Sequence, residues 1–167
     1  MGSADLTARL QALQQRPQRP EQHSAEADDD AVAVDGWKPL LPEQWFEAKY
    51  IGHETAVVFN AAKVFVHFEI VQHGEHIGKR LFRAFRARKL IGRPSKGGKF
   101  VAHSNGELYQ VLARLLDVKL RADRITFRPL RHMLFKVKTR IVRTDHKQRE
   151  IPEQSRYSVI DEIEREQ

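Results

Sequence analysis

The stretch that decides the fold runs Lys63-Val64-Phe65-Val66-His67-Phe68-Glu69-Ile70-Val71, then Gln72-His73-Gly74-Glu75-His76-Ile77-Gly78, then Lys79-Arg80-Leu81-Phe82-Arg83-Ala84-Phe85-Arg86-Ala87-Arg88-Lys89. Its first part alternates without a break. Val64, Val66, Phe68 and Ile70 make one face, and Lys63, Phe65, His67 and Glu69 make the other, which predicts a half-buried strand. A glycine-bounded loop then returns the chain into a second alternating strand. Alternation there separates Leu81, Arg83, Phe85 and Ala87 from Arg80, Phe82, Ala84, Arg86 and Arg88. The second set is the more polar and is placed outward. Paired as a hairpin, the two strands put Phe65, His67, Arg80, Phe82 and Arg86 on one side of a sheet, within side-chain reach of each other.

Charge gives that face its meaning. Between Glu75 and Glu107 there is no carboxylate, while Lys79, Arg80, Arg83, Arg86, Arg88, Lys89, Arg93, Lys96 and Lys99 all fall in the interval. Cations interleaved with flat side chains suit a polyanion whose bases can stack, single-stranded nucleic acid in particular. The plainer alternative is a solvated basic strand whose phenylalanines belong to the core. The chain of 167 residues has a formal charge of +7. Residues 1–35 hold three arginines against seven carboxylates, a net −4, so residues 36–167 carry +11. With no cysteine, disulfides, thiol catalysis and cysteine zinc sites are excluded. No apolar run approaches the ~20 residues of a membrane span, and the N-terminus lacks the apolar core of a signal peptide. The expectation is a soluble, cytoplasmic protein.

Outward from the hairpin, Leu6, Leu10 and Leu13 recur at helical spacing, predicting a short helix over Asp5–Gln15. Residues 16–35 have two prolines and few large apolar side chains, so they read as a mobile acidic leader. Its Asp28-Asp29-Asp30 cluster is solubilising, or else competes for the basic face. A domain follows over 36–167. Pro39 and Pro42 shape an extended approach, and Phe46–Phe59 reads as a strand bent or bulged at Gly52. Asn60-Ala61-Ala62 is the expected turn. Gly92–Gly98 reads as a flexible basic loop without a Walker-type arrangement. Ser104 and Glu107 have capping-box spacing ahead of Leu108, Val111, Leu112, Leu115 and Leu116, a helical core stripe. Arg121–Leu130 is a connector in which Pro129 ends regular structure. Leu134–Thr144 sets Phe135, Val137 and Ile141 against Lys136, Lys138 and Arg140. Tyr157–Ile163 is the last strand, with Tyr157, Val159 and Ile163 opposite Ser158, Ile160 and Glu162, and the terminus after it is acidic.

Three strands, a helix and two strands is the order of the OB-fold, a five-stranded barrel. At the level of pattern, residues 45–163 resemble small phage and mobile-element proteins that bind single-stranded DNA through such a barrel. The resemblance is carried by the opening strand with its Gly, by KVFVHFEIVQHGEHIGKRLF, by the helix ELYQVLARLLDV, and by the closing pair LFKVKTRIV and YSVIDEI. Within it, Gly78-Lys79-Arg80-Leu81-Phe82 looks like the family's step from a Gly-containing loop into a basic strand. The resemblance implies strand-coating during replication or recombination, and recruitment of a replication or recombination protein through the acidic C-terminus.

The resulting expectation is a non-enzymatic binder of single-stranded DNA, or RNA, with little sequence preference, no cofactor and no membrane association; self-association stays open. Bases stack on Phe65 and Phe82 beside His67. Phosphates follow Lys79, Arg80, Arg83, Arg86, Arg88, Lys96 and Lys99, extended by Lys136, Lys138 and Arg140. Two other readings compete. In one, the same face docks an acidic protein as an accessory subunit or inhibitor. In the other, Glu47-Ala48-Lys49 with Asp35 forms a metal-dependent nuclease site. His73 and His76 lack the second ligand pair that a zinc site needs.

Overall fold

A computed structural model describes residues 38–117, 120 and 125–167. The expected helix at 5–15, the leader to residue 35 and its aspartate cluster lie outside the described residues. In chain order come β1 (Trp45–Val58), β2 (Ala61–Ile70), β3 (Arg80–Arg86), β4 (Lys89–Ile91), β5 (Lys99–Val101), α1 (Glu107–Leu116), β6 (Leu134–Val142) and β7 (Tyr157–Arg165). A five-stranded antiparallel sheet has the order β3-β2-β1-β6-β7, and β4 pairs with β5 as a separate hairpin. Among the described residues the protein is thus mainly β with one principal helix. No ladder joins the sheet's outer strands β3 and β7, although the two approach each other and α1 packs against both.

Strand β1, 14 residues long, serves two neighbours. Trp45–Lys49 pairs with β6, and Ala48–Val58 pairs with β2. Its register slips between Tyr50 and Gly52, leaving Ile51 as the extra residue of a bulge. Gly52 has φ 156 there, a conformation that side-chain-bearing residues rarely adopt. The bend expected from the glycine is therefore present. The following turn lies one residue earlier than expected. Ala61 and Ala62 are already in register with Val58 and Val57, and the turn is Phe59-Asn60, with φ 50 and 59. Two consecutive left-handed residues give the twist that joins antiparallel strands, and a phenylalanine in that position is unusual.

Alternation placed the core correctly through most of the sheet. Val64, Val66, Phe68 and Ile70 from β2, Leu81 and Phe85 from β3, Phe135 and Val137 from β6, and the α1 stripe Leu108, Val111, Leu112 and Leu115 are all buried together. In β7 the simple period fails. Ser158, Val159 and Ile160 are all buried, because a register shift leaves Asp161 as an extra residue opposite Lys138/Thr139 and because Ser158 has its own partner. Its N–H donates to Pro39 O (2.9 Å), its hydroxyl donates to Leu41 O (2.9 Å), and Leu41 N–H donates to the same hydroxyl (2.8 Å). The lead-in segment Lys38–Leu41 thus lies along β7 and blunts that strand as an exposed edge.

Three local expectations are corrected. The helix is not closed by a Ser104/Glu107 capping box: Gly106 is its N-cap, with no side-chain hydrogen bond, and the Glu107 carboxylate is taken by Arg83 across the gap to β3. Pro129 does not end regular structure but sits in the first turn of a short 3-10 helix, Arg128–His132, where its missing N–H costs nothing. The basic segment is not one extended strand. β3 ends at Arg86, and β4 and β5 make a hairpin whose tip, residues 95–97, docks on β1 beyond the reach of β6. Gly97 N–H donates to His53 O (2.8 Å) and Thr55 N–H to Ser95 O (3.0 Å), with the buried Thr55 hydroxyl accepting from Ser95 N–H (3.1 Å).

Candidate nucleic-acid interface

The outer face of β2 and β3 is built by register. Opposite pairs are Lys63 with Arg86, Phe65 with Ala84, His67 with Phe82, and Glu69 with Arg80. All eight residues lie outside the core, with Phe65 and Phe82 half-buried. The two phenyl rings meet edge to face at 5.3 Å and 68°, and His67 lies 6.1 Å from Phe82. The exposed Ala84 opposite Phe65 leaves a step beside the pair. Lys38, in the lead-in segment, places its ammonium 4.1 Å from the Tyr157 ring and 5.5 Å from Phe82. Burial there holds the Lys38 pKa below its ordinary value.

Carboxylates on this wall are already engaged. Glu54 meets His67 at 3.3 Å, and Glu69 is shared by Lys49 (2.9 Å) and Arg80 (3.7 Å). Burial pulls the His67 pKa below its ordinary value; Glu54 opposes that shift and Arg80 adds to it. Lys63 and Arg86 differ: they face one another directly and neither has a carboxylate partner among the described residues. Like charges directly opposite across strands destabilise a sheet. An anion seated between them would remove that cost.

The other expected residues scatter. Arg83 is on the core-side register of β3, only 16% exposed at its side chain, paired with Glu107 and 5.3 Å over the Phe85 ring. It faces α1 rather than the aromatic pair. Lys79 precedes β3 with Nζ 3.3 Å from His76 Nδ1. Arg88 is exposed in the short link to β4. Lys96 pairs with Glu54 through an isolated antiparallel backbone bridge at the hairpin tip, and Lys99 opens β5. Lys136, Lys138 and Arg140 do line the outer side of β6, but each meets an acid of the last strand or its end: Glu166 at 4.0 Å, Glu162 at 2.6 Å and Asp161 at 3.3 Å. The Lys138–Glu162 pair raises the lysine pKa and lowers that of the glutamate. Much of the acidic C-terminus is therefore occupied with β6.

Sequence reasoning missed three participants. Lys63 was assigned to the correct face but not to the site; its opposition to Arg86 needs the hairpin register. Lys38 arrives through the Ser158 contacts, which no local pattern signals. The third is a stacked pair at the sheet's end, Phe59 and His146, with ring centroids 4.2 Å apart and planes at 29°. Phe59 is 72% exposed, and its left-handed backbone turns the ring into solvent. His146 is held by a loop organised on Asp145, whose carboxylate accepts from Lys147 N–H (2.8 Å) and Arg149 N–H (2.9 Å). Those bonds depress the Asp145 pKa. At ~3.3 Å per residue, Phe59 lies within about 20 Å of Phe65 along β2.

Among the described residues no cluster of three or more His, Asp or Glu side chains could hold a metal, and no helix is long and apolar enough to cross a membrane. Glu47 and Lys49 sit on the outer face of β1, with Lys49 tied to Glu69; Asp35 lies outside the described residues. Comparison with known proteins returns no matching family model, no matching curated protein and no matching solved structure.

Proposed function

We propose that the domain binds single-stranded nucleic acid, DNA in the first instance, with little sequence preference, and that its sheet is an OB-type barrel closed at β3 and β7. The barrel reading is supported by a long bulged β1 shared between β2 and β6, by the approach of the outer strands, and by a helix packed on both. Bases stack on Phe65 and Phe82, and further along the strand on Phe59 over His146. Phosphates sit at Lys63 and Arg86 and continue past Arg88, with Arg80 at the far end. Strand-coating in replication or recombination is the role such a surface serves.

One observation carries this reading: two opposed cations, without carboxylate partners among the described residues, border an edge-to-face phenylalanine pair outside the core. Stacking and phosphate attraction are then available to any sequence, because every base has a flat face and every nucleotide a charge. Fluorescence anisotropy with labelled dT and rU oligomers, a duplex and an acidic peptide tests it. Single strands bind tightest, and Phe82→Ala weakens them. Preference for the acidic peptide would transfer the face to a protein partner. Equal binding of duplex would remove the stacking argument.

A further inference from the structure

A second concavity lies away from the aromatic wall, between the C-terminal half of β1, the β4–β5 hairpin and the 3-10 turn. It has a volume of about 770 Å³, within the ~300–1,000 Å³ range of small-molecule sites. Tyr50 and His53, which line it, are on the core-side register of β1, opposite Val66 and Phe68 rather than Phe65. It is therefore not an extension of the outer face.

Its floor is aromatic and uncharged. Phe127 is 4.5 Å from the His53 ring, 5.9 Å from Tyr50 and 6.0 Å from Phe100. His53 Nε2 lies 3.1 Å from the Gly98 carbonyl, which can only accept, so that nitrogen carries a hydrogen. Nδ1 then accepts from the Tyr50 hydroxyl at 3.3 Å. Burial holds the His53 pKa below its ordinary value, which keeps this arrangement neutral near pH 7. The rim is cationic, formed by Lys99, Arg128 and Arg131, and among the described residues no acid lines the cavity. No ion pair engages these three cations among the described residues.

A flat neutral floor under a ring of positive charge fits a ligand with one aromatic ring system and one anionic group. We propose that this cavity binds a nucleoside monophosphate, its base against Phe100 and Phe127 and its phosphate at Lys99, Arg128 and Arg131. The unit can be a free nucleotide or the phosphorylated end of a strand.

The test is an NMR titration of the full chain, following the amides of Gly98, Phe100 and Arg131. Its arms are dTMP, a 5′-phosphorylated dT oligomer, the same oligomer with a 5′-hydroxyl, and inorganic phosphate. Shifts with dTMP support the proposal with a free nucleotide as source. Shifts with the phosphorylated oligomer, but not its hydroxyl counterpart, support it with a strand end. Arg131→Glu, at an exposed position, weakens either by about tenfold or more, and Phe82→Ala leaves the dTMP-induced shifts unchanged. Absence of shifts in both phosphorylated arms overturns the proposal. So does inorganic phosphate binding as tightly as dTMP, since the floor would then contribute nothing. Because Phe82→Ala separates the two surfaces, single-strand binding by the outer wall can fail while the cavity stands, and the reverse.

Discussion

At the scale of single residues, Phe82 and Arg86 separate function from stability. Phe82 is half-buried outside the core, so Phe82→Ala loses a stacking platform without opening an interior cavity. It should weaken single-strand binding by ~1–3 kcal/mol with little change in the unfolding midpoint, measured by anisotropy and thermal denaturation on one preparation. Arg86 is the sharper case. Arg86→Glu replaces a like-charge opposition with an ion pair to Lys63, which should stabilise the hairpin by ~0.2–1 kcal/mol while single-strand affinity falls. A variant losing both stability and affinity would mean that Arg86 holds the fold. The histidines add a pH dependence. His53 and His67 have folded pKa values below the ordinary 6.5, chiefly through burial. The unfolded chain therefore takes up protons first on acidification. Their contribution is whole above pH 6.5 and shrinks as pH falls through and below it. Urea unfolding at pH 7.5 and 5.5 should show lower stability at the acidic value, with the difference reduced in His67→Gln.

Among the elements, the β4–β5 hairpin shows how much of the chain was readable and where reading stopped. The β2–β3 hairpin was legible because each strand has a period of two with one mainly apolar face, interrupted in β3 only by Arg83, and α1 because its apolar residues recur at helical spacing. Those patterns record burial by one neighbouring layer. Residues 89–101 carry no such record. β4 and β5 are three residues each, too short for a period, and the glycines between them suggested only a loop. What fixes this hairpin is tertiary: its tip bonds to the stretch of β1 that β6 leaves uncovered. The same limit hid Lys38 and the Phe59–His146 pair, whose contacts join segments far apart in sequence. Arg83 was mistaken for the opposite reason, since counting charge ignored the alternation that turns it toward Glu107. The docking of the hairpin is itself testable through Gly98. A Cβ at this buried glycine would lie 2.2 Å from the Thr55 hydroxyl oxygen and 2.9 Å from Ser95 O, so backbone or Thr55 must move. Gly98→Ala should destabilise by ~1–3 kcal/mol as overpacking does, and should raise amide exchange at Thr55 and Gly97 ahead of the β2–β3 ladder. Uniform exchange across the sheet would show that the hairpin is not an independently released unit.

For the whole molecule the deciding quantity is how charge is distributed over the sheet. On β6 the cations are matched by the acids of β7 and its end, residue for residue, so that side contributes little field despite its lysines. On β2, β3 and the link after β3, Lys63, Arg86 and Arg88 have no carboxylate partner among the described residues, beside an Arg80 that shares Glu69 with Lys49. Under the proposed function, the net charge of +7 therefore overstates how many phosphates would be neutralised, and the geometry brings the number down to about four. Each phosphate neutralised on a single strand releases counterions and adds ~0.7 to the fall of log K with log salt, which for about four gives a slope near −3. Counting all the basic residues from Lys79 to Lys99 together with those of β6 would instead give a slope of about −8. An anisotropy titration from low to moderate salt distinguishes these outcomes. Lys63→Gln and Arg86→Gln should each lower the steepness by ~0.7, while Lys138→Gln, which removes a cation already paired with Glu162, should leave it unchanged. A slope near zero would mean that the opposed cations meet no phosphate. One that responds to Lys138→Gln as strongly as to Arg86→Gln would place the strand across β6, where the ion pairs would first have to open.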